Sequence, residues 1–171
     1  MGDSPADSEK EIVDIILRGT GEKLQEYLTK NGVKPVLTKV MGPQKRSLLH
    51  FAASVGNVGC LRVLLQKVRL SSGWLLSTAL FIFSYSSLLQ PGELVNLQDQ
   101  ALDTPLHLAV ACGEVEAVKL LLASGANVNI ENGLKRKPLD YAKDLNIQTL
   151  LKSTQSAFFN EEQSSPLEFA H

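Results

Sequence analysis

The chain has 171 residues, a formal net charge of −1 and 44% hydrophobic residues. That is one domain, or one domain with tails, long enough to bury a core. Its balance of charge gives no whole-chain electrostatic case for nucleic acid or an anionic membrane, and Cys60 and Cys112 alone do not make the disulfide framework of a small secreted scaffold.

The N-terminal stretch MGDSPADSEKE is acidic and polar and lacks the basic-then-apolar order of a secretory signal. Met1-Gly2 invites N-myristoylation, but Ala6 stands where Ser or Thr is wanted. Residues 1–8 are expected to be disordered, and the first helix pair to fall at Ile12–Leu17 and Glu22–Leu28 within a degenerate repeat over 9–34. The next unit, SLLHFAASVGNVGCLRVLL from Ser47 to Leu65, shares its plan with TPLHLAVACGEVEAVKLLLASGANVN at 104–129. A third version, KPLDYAKDLNIQTLL, begins at Lys137, and Leu139 follows Leu106 by 33 residues.

His50 and His107 break that period, lying 57 residues apart, 24 more than one repeat. Removing Val68–Pro91 leaves LLQKGELVNLQDQALDTPLHLA, which lines up with LLASGANVNIENGLKRKPLDYA, Gly92 on Gly125 and Asn96 on Asn129. The stretch 68–91 is therefore read as an insert between an outer helix and its terminating turn. Between Arg69 and Glu93 it carries no charge. A membrane-spanning helix needs about 20 apolar residues, whereas this run contains seven Ser and Thr residues and its ends must meet inside one repeat. Three further readings remain open. One is a partner-binding helix with Leu75, Leu76, Ala79, Leu80 and Phe83 on one face; another is a helix folded back on the array. The last is an in-frame retained intron or alternative exon: codons for Val68-Arg69 can begin GTGAG or GTAAG, FIFSYSSLL is encodable by pyrimidine-rich codons, and Gln90 can be CAG. Deleting 68–91 is expected to preserve the fold and to add about 1 kcal/mol of stability by shortening the loop.

Within the clearest unit, Thr104 stands at an N-cap and Pro105 at the first helical position, where a missing N–H costs nothing. Leu106, Ala109 and Val110 follow at helical spacing, and Gly113 ends the helix. Val115, Val118, Leu121 and Leu122 mark a second helix closed by Gly125, and Asn127–Lys137 forms polar turns. Asn146–Lys152 predicts a short outer helix, with the tail from 154 to 171 disordered. No single pair can bury its own face, so stability must come from stacking.

The 33-residue period and TPLHLA closely resemble the ankyrin repeat family, most strongly at TPLHLA and LLLASGANVN, well at SLLHFAASVG, and less so at KPLDYA, where Asp140 replaces His. The resemblance implies an all-α solenoid of stacked helix-turn-helix units with β-turn or hairpin loops over 9–153: a degenerate repeat at 9–34, an interrupted one at 43–98, a full one at 99–131 and a cap at 132–153. It makes Ser47, His50, Thr104, Pro105, His107, Gly113, Gly125 and Pro138 structural, with the histidines supporting turns. It also implies protein binding through turn tips and inner-helix ends: Gln44, Arg46, Ser54 and Val55; then Gln100, Ala101, Asp103, Ala111 and Cys112; then Leu134, Arg136, Asp144 and Leu145.

No phosphate loop, nucleophile elbow, HExxH or Cys-x-x-Cys is present in the sequence. The expectation is a non-enzymatic adaptor, scaffold or inhibitor of another intracellular protein, cytoplasmic or nuclear, with no cofactor, metal or nucleic acid. It is expected to be monomeric apart from the apolar insert. Lys135, Arg136, Lys137 and Lys45-Arg46 suit an acidic partner, or are ordinary solvated loop charge. The alternative is a membrane-associated or splice-variant form in which residues 70–92 anchor the protein or impair binding.

Overall fold

The computed structural model of the chain describes residues 5–37, 40–73 and 94–162. Helix α1 (Pro5–Arg18) is followed by α2 (Gly21–Asn31), whose N-cap Thr20 accepts a hydrogen bond from the Lys23 N–H at 3.4 Å. A short helix α3 (Val33–Leu37), which the sequence pattern did not suggest, buries Val36 and Leu37. Strands β1 (Val40–Met41) and β2 (Arg46–Ser47) then pair antiparallel, Val40 opposite Ser47 and Met41 opposite Arg46. They lead into α4 (Leu48–Val55) and α5 (Val58–Gly73). After the insert come α6 (Pro105–Cys112), α7 (Val115–Ala123), a 3₁₀ turn at Pro138–Tyr141 and α8 (Leu145–Glu162).

Packing follows repeat order. The inner row stacks α1 on α4, α4 on α6 and α6 on the 3₁₀ turn. The outer row stacks α2 on α5, α5 on α7 and α7 on α8. Each helix packs against its partner within the unit and against the neighbouring unit, and Leu48, Leu61, Leu64, Leu106, Leu121, Ile147 and Leu151 are all buried in one continuous core. Inner helices α4 and α6 end alike. Gly56 (φ +66°) and Gly113 (φ +80°) adopt the left-handed conformation. The following N–H groups of Asn57 and Glu114 then reach back to Ala52 and Ala109 carbonyls at 3.1 and 2.9 Å.

Four expectations need correction. Helix α1 begins at Pro5, so residues 5–8 are helical rather than disordered. Helix α5 runs past Lys67 to Gly73 and buries Val68, so the first insert residue belongs to the core. The inner element of the last repeat is a 3₁₀ turn: the Lys137 N–H bonds to the Asp140 carboxylate at 2.8 Å, but the chain is extended again at Ala142. Helix α8 continues through 154–162, where a disordered tail was expected. Its hydroxyls at Thr149, Ser153, Thr154 and Ser156 donate to carbonyls one turn back, so these donors are spent within the helix. Residues 74–93 and 163–171 lie outside the described residues, and with them most of the insert. Among the described residues no helix is long and apolar enough to cross a membrane.

Candidate binding surface

The turns that carry the candidate residues are built by the same bonds in successive repeats. His107 Nδ1 accepts from the Thr104 N–H at 3.1 Å and lies 2.8 Å from Thr104 Oγ1, while Nε2 donates to the Arg136 carbonyl at 3.1 Å. His50 does the same with Ser47 (3.2 and 2.8 Å) and the Asp103 carbonyl (2.9 Å). Because a carbonyl can only accept, Nε2 holds the proton and each ring is neutral with Nδ1 as acceptor. Burial pushes both histidines below their ordinary value, against the opposing pull of those carbonyl bonds. Each histidine thus starts its own helix and ties it to the next repeat's turn.

These equivalent bonds also measure the insert. His50 and Asp103 are separated by 53 positions and His107 and Arg136 by 29, a difference equal to the 24 residues removed in the alignment. The turn tips repeat the lesson: Gln100 N–H donates to the Gln44 carbonyl and Gly133 N–H to the Ala101 carbonyl, both at 2.9 Å. Register is restored across the interruption.

A second coupling runs beside the histidines. Asp99 Oδ1 accepts the backbone N–H groups of Ala101 (2.8 Å) and Asp103 (3.1 Å), and Oδ2 accepts Arg46 Nε at 3.1 Å. Asn132, one repeat on, accepts from Leu134 (3.0 Å) and Arg136 (3.1 Å) in the same way. Its Nδ2 donates to Asp103 Oδ1 (2.7 Å) and Tyr141 Oη (2.8 Å). Tyr141 in turn lies edge-on to His107 and beneath the Arg136 guanidinium, 5.8 Å from the ring centre. Asp99 and Asn132 escaped the sequence reading, although an Asx residue recurring at one register position ahead of each turn was a usable sign.

Of the candidate contact residues, Gln44, Val55, Gln100, Ala101, Ala111, Cys112, Leu134, Arg136, Asp144 and Leu145 are exposed. Arg46, Ser54 and Asp103 are half-buried and engaged within the protein, Arg46 with Asp99, Asp103 with Asn132, and Ser54 Oγ with the Phe51 carbonyl at 3.0 Å. Val55, Cys112 and Leu145 occupy one register position in three successive repeats: Val55 and Cys112 end α4 and α6, Leu145 opens α8, and all three are exposed. Leu134 at the last turn tip is 69% exposed and Leu145 75%. Cys60 is buried on α5, its thiol pushed up by burial, which suits packing rather than reactivity. Among the described residues no group of His, Cys, Asp or Glu is arranged to hold a metal ion.

Fold and surface together define an array of helix-turn-helix repeats with projecting turns. A family model described as ankyrin repeats (3 copies) matches residues 8–132 and 84–163, and the chain belongs to that family. It is 28% identical over 142 residues to transient receptor potential cation channel subfamily A member 1 of Homo sapiens, covering 82% of this chain and 10% of the channel. It is 35% identical over 105 residues to ankyrin repeat and SOCS box protein 11 of Mus musculus, covering 56% of this chain and 32% of that protein. The chain therefore spans a third or less of these relatives. Among solved structures it is similar to a chain in the crystal structure of the yeast ribosomal protein Rps3 in complex with its chaperone Yar1. There the TM-score is 0.67 at 19% identity, with 98% of this chain and 100% of that one covered. Ankyrin repeats are protein–protein interaction modules, in general without enzymatic activity.

Proposed function

We propose that this chain is a small adaptor or inhibitor that binds another intracellular protein, in the cytosol or nucleus, along the edge formed by its turn tips and inner-helix ends. The observation that carries the reading is the row Val55, Cys112 and Leu145, joined at the last turn by Leu134. Apolar side chains recur there at solvent-facing positions while the same helices bury Leu48, Leu106, Ile147 and Leu151 in the core. The exposed Lys45, Lys135 and Arg136 at the turns give that edge a basic flank, suited to a partner segment with acidic residues beside its apolar anchors. Arg46, fixed by Asp99, contributes to the scaffold rather than to contact.

The test is affinity capture from cell extract by the full chain and by a Leu134→Asp, Leu145→Asp variant, with Glu116→Ala on α7 as control. Specific partners should be lost from the first variant and kept by the control. Partners retained equally by all three chains would show that binding uses another surface.

A further inference from the structure

The dipeptide Asn132-Gly133 sits at the start of the last turn, and Asn-Gly is chemically unusual: glycine leaves its own backbone nitrogen open to approach by the preceding side chain. We propose that Asn132 is a latent deamidation site, closed by the fold and opened when the last repeat detaches, so that its conversion is a one-way record of that opening.

The reaction uses only the chain and water. The Gly133 nitrogen gives up its proton and bonds to Asn132 Cγ; the Cγ–Nδ2 bond breaks and Nδ2 departs as ammonia, taking a proton. One water molecule then opens the cyclic imide, at Cγ to give aspartate or at the main-chain carbonyl to give isoaspartate. The folded protein blocks each requirement. Gly133's N–H is held by the Ala101 carbonyl at 2.9 Å, so the nucleophile keeps its proton. Asn132 is only 4% exposed. Two backbone N–H groups fix its Oδ1, and Asp103 with Tyr141 fixes its Nδ2, so Cγ cannot turn toward the neighbouring nitrogen. Once formed, the product cannot return to the same arrangement. An aspartate at 132 could still accept the Leu134 and Arg136 N–H groups, as Asp99 does one repeat earlier, but it would face the Asp103 carboxylate where an amide now donates, and the tie between the last turn and Asp103 would be lost.

The chain carries its own reference. Asn31-Gly32 ends α2 with Asn31 exposed. The experiment incubates the full chain in mildly alkaline buffer, folded or in guanidinium chloride, and follows both sites by peptide mass spectrometry. In denaturant the two asparagines should convert at comparable rates. In the folded chain Asn132 should lag Asn31 by at least about tenfold, because its reaction waits on local opening. Tyr141→Phe removes one Nδ2 acceptor and should accelerate Asn132 alone. Conversion of Asn132 as fast folded as denatured, its failure to convert in denaturant, or equal acceleration of both sites by Tyr141→Phe would overturn the proposal.

Discussion

At Asp99 and Asn132 one register position solves the same problem with opposite polarity: a carboxylate accepts from Arg46, and one repeat later an amide donates to Asp103. The pairing is therefore exchangeable as a unit and not singly. Asn132→Asp should destabilise by about 1–3 kcal/mol, since it removes a buried donor and sets two carboxylates together. Adding Asp103→Arg should recover most of that loss by recreating the Arg46–Asp99 arrangement, and the Asp103 carbonyl that serves His50 is untouched. Thermal unfolding of the single and double variants decides it; a double variant no better than the single would mean the junction is not modular. The histidines give a second expectation at this scale. Their folded values lie below the unfolded 6.5 because burial outweighs the carbonyl bonds and the nearby Asp99, Asp103 and Asp140. The contribution of the neutral rings is fully present above that value and is lost as pH falls below it toward the folded values. A proton on Nδ1 would also meet the Ser47 and Thr104 N–H groups instead of an acceptor. Melting temperature should fall between about pH 7 and pH 5, and a His50→Ala, His107→Ala variant should be less stable but less pH-dependent; equal slopes would remove the histidines from the account. The sequence announced these histidines through a motif. It hid the Asx coupling, because Arg46 and Asp103 look like solvent-facing turn residues until the next repeat supplies their partners.

Among the elements, helix pairs and their order were legible from Thr104-Pro105, the glycine stops and the apolar spacing, since those features act within one repeat. Element ends were less legible, because they depend on neighbours. Helix α8 outruns its apolar stretch and is tied back by Gln155 Nε2 to Asn129 Oδ1 at 3.0 Å. Leu106 and Leu121 have no exposed surface, and truncating either to Ala should cost about 2–5 kcal/mol. The insert prediction changes with Val68 in the core. Deleting 68–91 shortens a loop, a gain of about 1 kcal/mol, but forfeits a buried valine worth about 1.5–3 kcal/mol. The deletion variant is now expected to keep the fold, with the helical signal lowered by loss of the Val68–Gly73 end of α5, and to melt slightly lower than the parent. Loss of cooperative unfolding would show the insert to be integral to the array.

For the molecule as a whole, the scaffold and the proposed contact edge should be separable. Arg136→Ala should change stability by less than about 1 kcal/mol, its loss confined to the exposed stack on Tyr141, while weakening partner binding. A melting loss as large as that of Leu121→Ala would place Arg136 in the scaffold instead. The unequal separations of the two histidine bonds also set an order of events in time. Closing the 53-position span costs about 0.5 kcal/mol more chain entropy than closing the 29-position one. A stack whose units gain stability only from neighbours grows first where joining them costs least. The repeats after the insert should therefore nucleate folding, and the N-terminal pairs should dock onto a finished template. In stopped-flow measurements Leu121→Ala should mainly slow folding and Leu24→Ala mainly speed unfolding. The opposite pattern would place the nucleus before the insert. On this ordering a segment that leaves the finished architecture in register still decides which end of the chain is assembled last.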